Sequence, residues 1–489
     1  MIIIIISAFI TGLTQHSYPI GYLSWFSLVP LLFILNKLVN IREYIKCGFL
    51  WGIVYYFTTI FWLSGNIGTS QFFSILSMLL AVLYCSTNII IISLICYLFK
   101  KYYSNSWFWF FPLIWTSVEY LRNLDILAGG PWTSLANTQL NFLILIQNAE
   151  IFGMYGITFW LVLTNVLVFN YLNNKNKIKL VFLGMHICIP WITGYLLMLT
   201  ALSNIKAEVN ITSIQPNTNL EDKWKPGRAK ANILSLIELS LPSIDDSVDL
   251  IIWPESATST YLLQNRKNYL ELIQSKLKNT KLLTGTPYSK IENNQKKYYN
   301  SSVLISQDSI YSPYHKLKLV PMGEYIPLSN IFPKLKSLNI GQANFTPGNE
   351  YRLFNVNGIN IASMICFEST FPYLSRKFVN NGAEILTYLV NDGWYKSLPG
   401  PYQHSKQAIY RSIENRRYVI RSTNTGISMI IDPFGNIVKQ LSLNKQGTIS
   451  SKVYANKSVT FYTRYGDIFI QMIVFLTSVL LIYKLKNKK

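Results

Sequence analysis

IASMICFEST, residues 361–370, sets one cysteine at the end of an apolar run. Ile361 to Ile365 reads as a buried strand, and the polar residues after it read as a turn. A strand end holds a side chain rigidly yet lets it face a cleft, which is where layered α/β folds place reactive groups. Cys366 stands at that point, with Glu368 two residues further on. A cysteine in such a run can equally be a small buried hydrophobe. The surrounding chain has to decide between the two.

Outward from this stretch, between about residues 203 and 458, short apolar runs alternate with helical patterns. EVNITSIQPN (208–217) reads as a strand and turn, and WKPGRAKANILSLIELSL (224–241) has helical periodicity. VDLIIWPES (248–256) is a continuous apolar run, as in a strand buried on both faces. A helix over 261–277, a strand over 281–289, a strand at NSSVLIS, a strand over 383–394 and a helix near 402–415 are expected. A hairpin region with a turn at Asp432-Pro433-Phe434-Gly435 follows. Strands alternating with helices predict an α/β layered domain, and roughly 250 residues can bury a proper core.

The flanks differ. Over the 489 residues, 50% are hydrophobic and only 14% charged, a composition suited to a chain solvated in part by lipid. Apolar runs cover the start (MIIIIISAFITGL) and roughly 21–38, 47–63, 71–99, 107–121, 150–172, 179–201 and 461–485. The first lacks a basic leader and a small-residue cleavage site, so it reads as a retained span. Lys37, Arg42 and Lys46, then Lys100 and Lys101, then Lys175, Lys177 and Lys179, then the terminal lysines fall in every second connection. The positive-inside rule then puts both termini in the cytoplasm. By parity the long segment lies outside. The expected organisation is a membrane domain of seven helices over 1–202, an extracytoplasmic catalytic domain over 203–458, and a last helix with a basic tail over 459–489.

The net charge of +21 can be read as attraction to anionic headgroups or as coding bias with solvated lysines. No basic, aromatic-interleaved patch speaks for nucleic acid. Five cysteines without paired spacing predict no disulfide framework. Four scattered histidines, and no HExxH or CxxC, predict no metal site. No cofactor is expected, and no histidine is expected to activate Cys366. Within the spans, Glu119 and Arg122 lie three residues apart in WTSVEYLR, readable as a functional pair or an interfacial ion pair. The loop over 127–141 reads either as a crevice lining or as a connection.

Two more groups stand at strand ends beside Cys366. Glu255 follows LIIWP, where Pro254 ends the ladder. Lys316 lies in YHKLKLVPMGEYIP, which also holds Glu324. A carboxylate can take the thiol proton, and an ammonium favours the thiolate and an oxyanion. Cys, Lys and Glu are together a complete acyl-transfer set without histidine. Sequence order permits the three to meet and does not bring them together.

WPES, YHKLKLVPMGEYIP and ICFES resemble the three motif blocks of the nitrilase superfamily. The resemblance implies an αββα sandwich and a Glu255–Lys316–Cys366 triad, with Lys316 rather than Lys318 at the family's lysine position. With about eight spans around it, and with FGMYGITFW (152–160), QPN (215–217), Trp224 and NDGWY (391–395), the chain resembles the apolipoprotein N-acyltransferase family over almost its whole length. That resemblance implies a bacterial inner-membrane enzyme with its catalytic domain on the periplasmic side. A membrane phospholipid would donate its sn-1 acyl chain through a Cys366 thioester. The acceptor would be the α-amino group of a diacylglyceryl-cysteine at an apolipoprotein N-terminus. Glu255 would be general base, Lys316 oxyanion partner, and Glu324, Glu368 and Phe367 supporting. Trp224, Asn391, Trp394 and Tyr395 would bind substrate or form lids, in loops 337–348 and 391–401. A monomer is expected. Met322, Phe367 and Lys396 depart from the family's usual residues. The competing expectations are a membrane-tethered amidase acting on small amides and a transporter with a large outer domain.

Overall fold

A helix rises 1.5 Å per residue, so about 20 apolar residues are needed to cross a bilayer. We describe the chain from a computed structural model, for residues 1–124, 130–200, 205–244, 247–264, 266–327, 329, 331–332, 334, 343–395 and 398–486. It divides into two units. The first comprises Met1–Gly65, Ser70–Thr200 and Tyr465–Lys489, and the second Asn66–Thr69 with Ala201–Arg464. Residues 337–342 of the loop expected over 337–348, Lys396 and Ser397 of the loop over 391–401, residues 127–129 of the loop over 127–141 and the last three residues lie outside the described residues.

The first unit is helical. Among the described residues, five helical segments are long and apolar enough to cross a membrane. They are Ile41–Gly65, Gln71–Asn123, Ala149–Asn173, Lys177–Thr200 and Ile468–Lys486. The remaining apolar runs are shorter helices than eight full spans would need. Ile2–Leu13 has 12 residues and Val29–Lys37 has 9. The 71–123 stretch contains a 3-10 segment at Ser104–Phe110, which separates Gln71–Tyr103 from the 13-residue helix Phe111–Asn123.

Small residues let these helices approach. Gly48 and Gly52 are one turn apart on Ile41–Ile60. A Cβ on Gly52 would meet Ser86 at 3.0 Å, and one on Gly48 would meet the Ser93 hydroxyl at 2.6 Å. This is close backbone packing of the kind that replaces the hydrophobic effect in lipid. Polar side chains are bonded internally. Asn165 accepts from the Leu28 N–H at 2.8 Å and donates to the Ser24 carbonyl at 2.8 Å. Glu119 and Arg122 take separate neutral partners. Glu119 accepts from Thr158 (2.8 Å) and the Leu135 N–H (3.1 Å), while Arg122 donates to Thr133 (2.7 Å) and Tyr56 (3.1 Å).

The second unit is an α/β sandwich of two six-stranded sheets. Its strands are β1 Ile205–Gln215, β2 Leu250–Ile252, β3 Lys281–Glu292, β4 Gln295–Ile305, β5 Tyr314–His315 and β6 Leu353–Val356. Then come β7 Ile359–Ile365, β8 Ile385–Val390, β9 Val419–Thr423, β10 Ser428–Ile431, β11 Ile437–Leu441 and β12 Gly447–Asn456. One sheet runs β12-β1-β2-β3-β4-β5 and the other β11-β10-β9-β8-β7-β6. β1, β2 and β3 are parallel neighbours, as are β7, β8 and β9, and the outer pairings are antiparallel.

Both faces of each sheet are buried. Trp253, Ile251, Leu282 and Val303 of the first sheet form a buried cluster with Ile233 and Leu236 of the helix Arg228–Ser240 and Ile273 of the helix Glu271–Leu277. Against the second sheet, Ser375 of the helix Pro372–Asn380 bonds Tyr388 of β8 at 2.7 Å. Between the sheets, buried apolar side chains such as Ile252 and Leu283 are interspersed with small polar ones. Ser363 of β7 donates to Ser302 of β4 at 2.8 Å, and Thr423 of β9 donates to Gln215 of β1 at 2.8 Å. Short hydroxyl side chains allow the sheets to bond directly across their shared layer.

Three elements differ from the sequence expectation. The strand expected over 248–256 is only Leu250–Ile252, because Pro254 cannot donate to the ladder. The helix expected over 261–277 is regular only at Glu271–Leu277 and is preceded by a π turn at Arg266–Leu270. The hairpin region over 417–438 is three strands, β9 to β11. The expected turn sits between the last two, where the Gly435 N–H donates to Asp432 at 3.0 Å and Gly435 has φ 86°.

Candidate active site

Cys366 is the residue after β7 and opens a 3-10 turn, Cys366–Thr370. Its φ is 51°, in the left-handed region that non-glycine residues avoid. Such strain persists only where the surroundings over-determine it, and it collects at functional sites. The residue as a whole is half-buried. Burial and then the nearby Glu255 push the thiol well above its ordinary range, and Lys316 pulls the other way. At rest the sulfur therefore carries its proton.

Glu255 follows β2 after Trp253 and Pro254. Its backbone rests on β3, where a Cβ at Gly285 would meet the Glu255 Cα at 2.7 Å and the Ser256 N at 2.6 Å. Only glycine leaves that room. Asn300 of β4 reaches over and donates from one Nδ2 to both Glu255 Oε1 (2.7 Å) and Glu324 Oε1 (2.9 Å). Among the described residues, Glu255 Oε2 is buried without a hydrogen-bond partner. Burial raises the Glu255 carboxyl, Lys316 lowers it and Glu324 raises it again. A carboxylate with one oxygen anchored and one unpaired, shifted toward neutrality, is suited to take a proton.

Lys316 follows β5, and its N–H donates to the Asn300 carbonyl at 2.9 Å. Its side chain is 1% exposed, and Nζ stands 2.8 Å from Glu324 Oε2 and 3.7 Å from Glu255 Oε1. Burial disfavours its charge, but Glu324, Glu255 and the Cys366 sulfur outweigh that and raise the ammonium's pKa. Glu324 also accepts from the Val320 N–H at 2.7 Å, which closes the 316–324 segment into a loop around the lysine. Met322 within that loop is exposed, at φ 65°.

Glu368 does something different. It is fully buried. Its Oε1 accepts from Tyr314 (2.8 Å), the Leu317 N–H (2.7 Å) and the Lys318 N–H (3.1 Å), and its Oε2 from the Ile365 N–H (2.6 Å). It ties the lysine segment to the end of the cysteine strand. Burial lifts its carboxyl to about 7, against the Ile365 N–H, Lys316 and its other donors. Both oxygens are bonded, Oε1 by three donors and Oε2 by one, which suits holding the two segments together. Phe367 lies edge-on to Phe371, ring centroids 5.0 Å apart.

The remaining expected residues are spread along the second unit. Trp224 is 46% exposed, after the short helix Leu220–Lys223. Asn391 is buried and accepts from Asn424 at 3.3 Å. Trp394 is exposed, and its carbonyl accepts from the Ile67 N–H at 2.9 Å. The Tyr395 hydroxyl is pushed up to about 12 by burial, then by Cys366 and Asp392, so this ring lies in the field of the thiol.

Sequence reading missed four features. Asn300 joins the two carboxylates, and Tyr314 holds Glu368. Lys223 is buried and donates to the Glu255 carbonyl at 3.3 Å, and burial brings its pKa down to about 8 although Glu255 raises it. His404, one of the scattered histidines, stands with Nε2 3.2 Å from the Cys366 carbonyl. The neighbouring Trp224 was the only signal for Lys223. The other three depend on which strands and helices become neighbours.

A cysteine on a strained strand end, a buried lysine and a carboxylate with one unpartnered oxygen are set in a two-sheet sandwich of the nitrilase type. Residues 210–458 match the family described as carbon-nitrogen hydrolase, and residues 7–167 match the apolipoprotein N-acyltransferase N-terminal domain. The chain is 29% identical over 484 residues to the apolipoprotein N-acyltransferase of Geobacter metallireducens, covering 95% of this chain and 91% of that one. It is 30% identical over 363 residues to the enzyme of that name from Pseudomonas aeruginosa, covering 73% of this chain and 69% of that one. It belongs to the apolipoprotein N-acyltransferase family and is a bacterial membrane protein.

Proposed function

We propose that this chain transfers an acyl group from a membrane phospholipid to the N-terminal diacylglyceryl-cysteine of apolipoproteins, through a thioester on Cys366. The observation that carries the mechanism is the cluster of Lys316, Glu324 and Glu255 with one unpaired carboxylate oxygen, in the electrostatic field of the Cys366 thiol. The match of residues 7–167 to an acyltransferase membrane domain supports this reading over a tethered amidase, which would need only an anchor.

In the first half-reaction Glu255 takes the thiol proton as Sγ attacks the ester carbonyl carbon at the sn-1 position. Lys316 faces the resulting oxyanion. The C–O bond breaks, Glu255 returns the proton to the leaving oxygen, and a lysophospholipid departs. In the second, the acceptor's free α-amine attacks the thioester carbon, Glu255 takes the amine proton, the C–S bond breaks, and Glu255 returns that proton to the leaving sulfur. The products are an amide and a thiol. Glu324 orients Lys316, and Glu368 fixes the cysteine turn against the lysine segment. Trp224, Asn391, Trp394 and Tyr395 contribute to substrate binding or to lids.

Both substrates belong to the outer face of the membrane. The proposal accordingly places residues 203–458 on the periplasmic side, residues 1–202 in the membrane as seven spans, and residues 459–489 as the eighth span and a cytoplasmic tail. The protein acts as a monomer. Incubation with phospholipid alone should leave a fatty acyl mass on the Cys366 peptide, removed by neutral hydroxylamine. Adding a diacylglyceryl peptide with a free N-terminus should discharge it as an amide. An acyl group on another residue, or transfer retained in Cys366→Ala, overturns the mechanism.

A further inference from the structure

Behind the nucleophile lies a second buried ionic cluster, which the reaction as written does not use. His404 sits on the helix Gly400–Asn415, Asp392 in the turn after β8, and Arg421 in β9. All three are buried. Asp392 Oδ1 lies 2.7 Å from His404 Nδ1, and Arg421 Nη2 donates to Asp392 Oδ2 at 2.7 Å. Arg421 Nη2 also lies 3.1 Å from His404 Nδ1. The nearer carboxylate oxygen fixes a proton on Nδ1, because two acceptors cannot meet at that separation. Asp392 is held down at about 2: burial would raise it, and Arg421 and His404 outweigh burial. It is thus the permanent anion between them.

The other ring nitrogen faces the nucleophile's backbone. His404 Nε2 is 3.2 Å from the Cys366 carbonyl oxygen and 3.0 Å from the Ser369 hydroxyl. Ser369 itself donates to the same carbonyl at 2.9 Å. By the same reasoning the carbonyl can be held only by a donor, so the clamp requires a proton on Nε2 as well, which is then directed at the Cys366 carbonyl and the Ser369 hydroxyl. Ring, hydroxyl and carbonyl then form a closed triangle around the peptide that leaves Cys366 at φ 51°. The packing reserves space for the clamp, since a Cβ on Gly426 would collide with the Asp392 carboxylate.

We propose that His404, fixed by Asp392 and Arg421, is a positioning residue for Cys366. It holds the cysteine carbonyl, directly and through Ser369, so that the strained turn aims the sulfur at the acyl carbon. Asp392 is the second residue of NDGWY, so the clamp also ties the loop bearing Trp394 and Tyr395 to the nucleophile's backbone. This rests on Cys366 being the acylated residue.

The experiment uses the full chain in detergent with a phospholipid labelled in its sn-1 acyl chain, and measures kcat and KM for acylation of Cys366. Aim errors of about 1 Å cost on the order of 100-fold in rate. His404→Gln and Asp392→Asn should each lower kcat by about 10- to 100-fold on that ground, with KM within about twofold. Because they act as one unit, the double variant should be no worse than the worse single variant by more than about twofold. Iodoacetamide, too small to need the lipid site, should alkylate Cys366 at an altered rate in the same variants. Unchanged kcat, a rise in KM alone, or losses that multiply in the double variant would overturn the proposal. If His404→Gln does not fold, Ser369→Ala decides. It should lower kcat several-fold with elution and unfolding temperature unchanged, and full kcat in that variant refutes the clamp. Label on a residue other than Cys366 in the wild type counts against the catalytic reading instead.

Discussion

The two sheets of the second unit each bring a buried acid toward Cys366, and environment drives the acids in opposite directions. Glu255, from the first sheet, is raised toward neutrality by burial and keeps one oxygen unpaired. Asp392, from the second, is just as buried, yet Arg421 and His404 hold it at about 2 with both oxygens occupied. Burial alone does not decide what a carboxylate does. The number of donors and cations around it decides, and the acid left short of partners is the one able to take a proton. Glu368 extends the lesson. It is buried, but four donors engage its two oxygens and tie it to the backbone on either side.

The largest test of this contrast is at Lys316. Lys316→Met should slow acylation of Cys366 by about 100- to 1000-fold, the cost of losing one oxyanion partner. Lys318→Ala should lose only a few-fold, since it is the Lys318 N–H that reaches Glu368. Equal losses, read by acyl-enzyme mass spectrometry, would mean the ammonium was assigned to the wrong lysine.

The contrast sharpens in the pH profile. A base must be ionised, so acylation should rise with pH along an acidic limb displaced above the ordinary Glu range. Glu324 raises Glu255, so Glu324→Gln should move that limb to lower pH. Single-turnover rates across pH check the sign, and a limb moving upward would break the assignment of Glu255 as base.

Glu368→Gln replaces an acceptor-only group with one that presents an N–H₂ to backbone donors. It should destabilise the second unit by about 1–3 kcal/mol, the usual cost of stranding buried polar groups. Thermal unfolding followed by tryptophan fluorescence measures it. A proton-shuttling Glu368 would instead lose activity at unchanged stability.

The smallest effect concerns Asp392. Its folded pKa of about 2 lies below the ordinary aspartate value of 3.8. Its contribution to stability is present above pH 3.8 and is lost as pH falls toward 2, about 2 kcal/mol in all. Asp392→Asn should flatten this part of the acid-unfolding curve, and an unchanged curve would show that Arg421 does not hold the acid.

Much of the site could be read from local pattern. The Cys366 strand, the helices at 228–240 and 400–415, and the strand-end places of Glu255 and Lys316 follow from apolar periodicity and from Pro254, all of which act over a few residues. Asn300 could not be read that way. It meets Glu255 because β2, β3 and β4 are neighbours, and periodicity says which face a residue takes without naming the strand beside it. His404 is 38 residues from Cys366, and only the packing of a helix on β9 and β10 brings it to the cysteine carbonyl. The shortness of Ile2–Leu13 and Val29–Lys37 was hidden for another reason. Hydropathy marks apolar stretches but not where 3-10 turns such as Gly21–Trp25 interrupt them.

The raised thiol of Cys366 also bears on how the residue would endure in the oxidising surround that the proposed periplasmic placement implies. Thiolates, not thiols, are what peroxides and disulfides consume, so a sulfur that keeps its proton at rest is a poor target for sulfenic acid formation or mixed-disulfide capture. Cys366 is the only cysteine between residues 201 and 464, so no neighbour in that unit can resolve a lesion on it. The arrangement that delays deprotonation until an ester is present would therefore also protect, between turnovers, a residue that has no local means of repair.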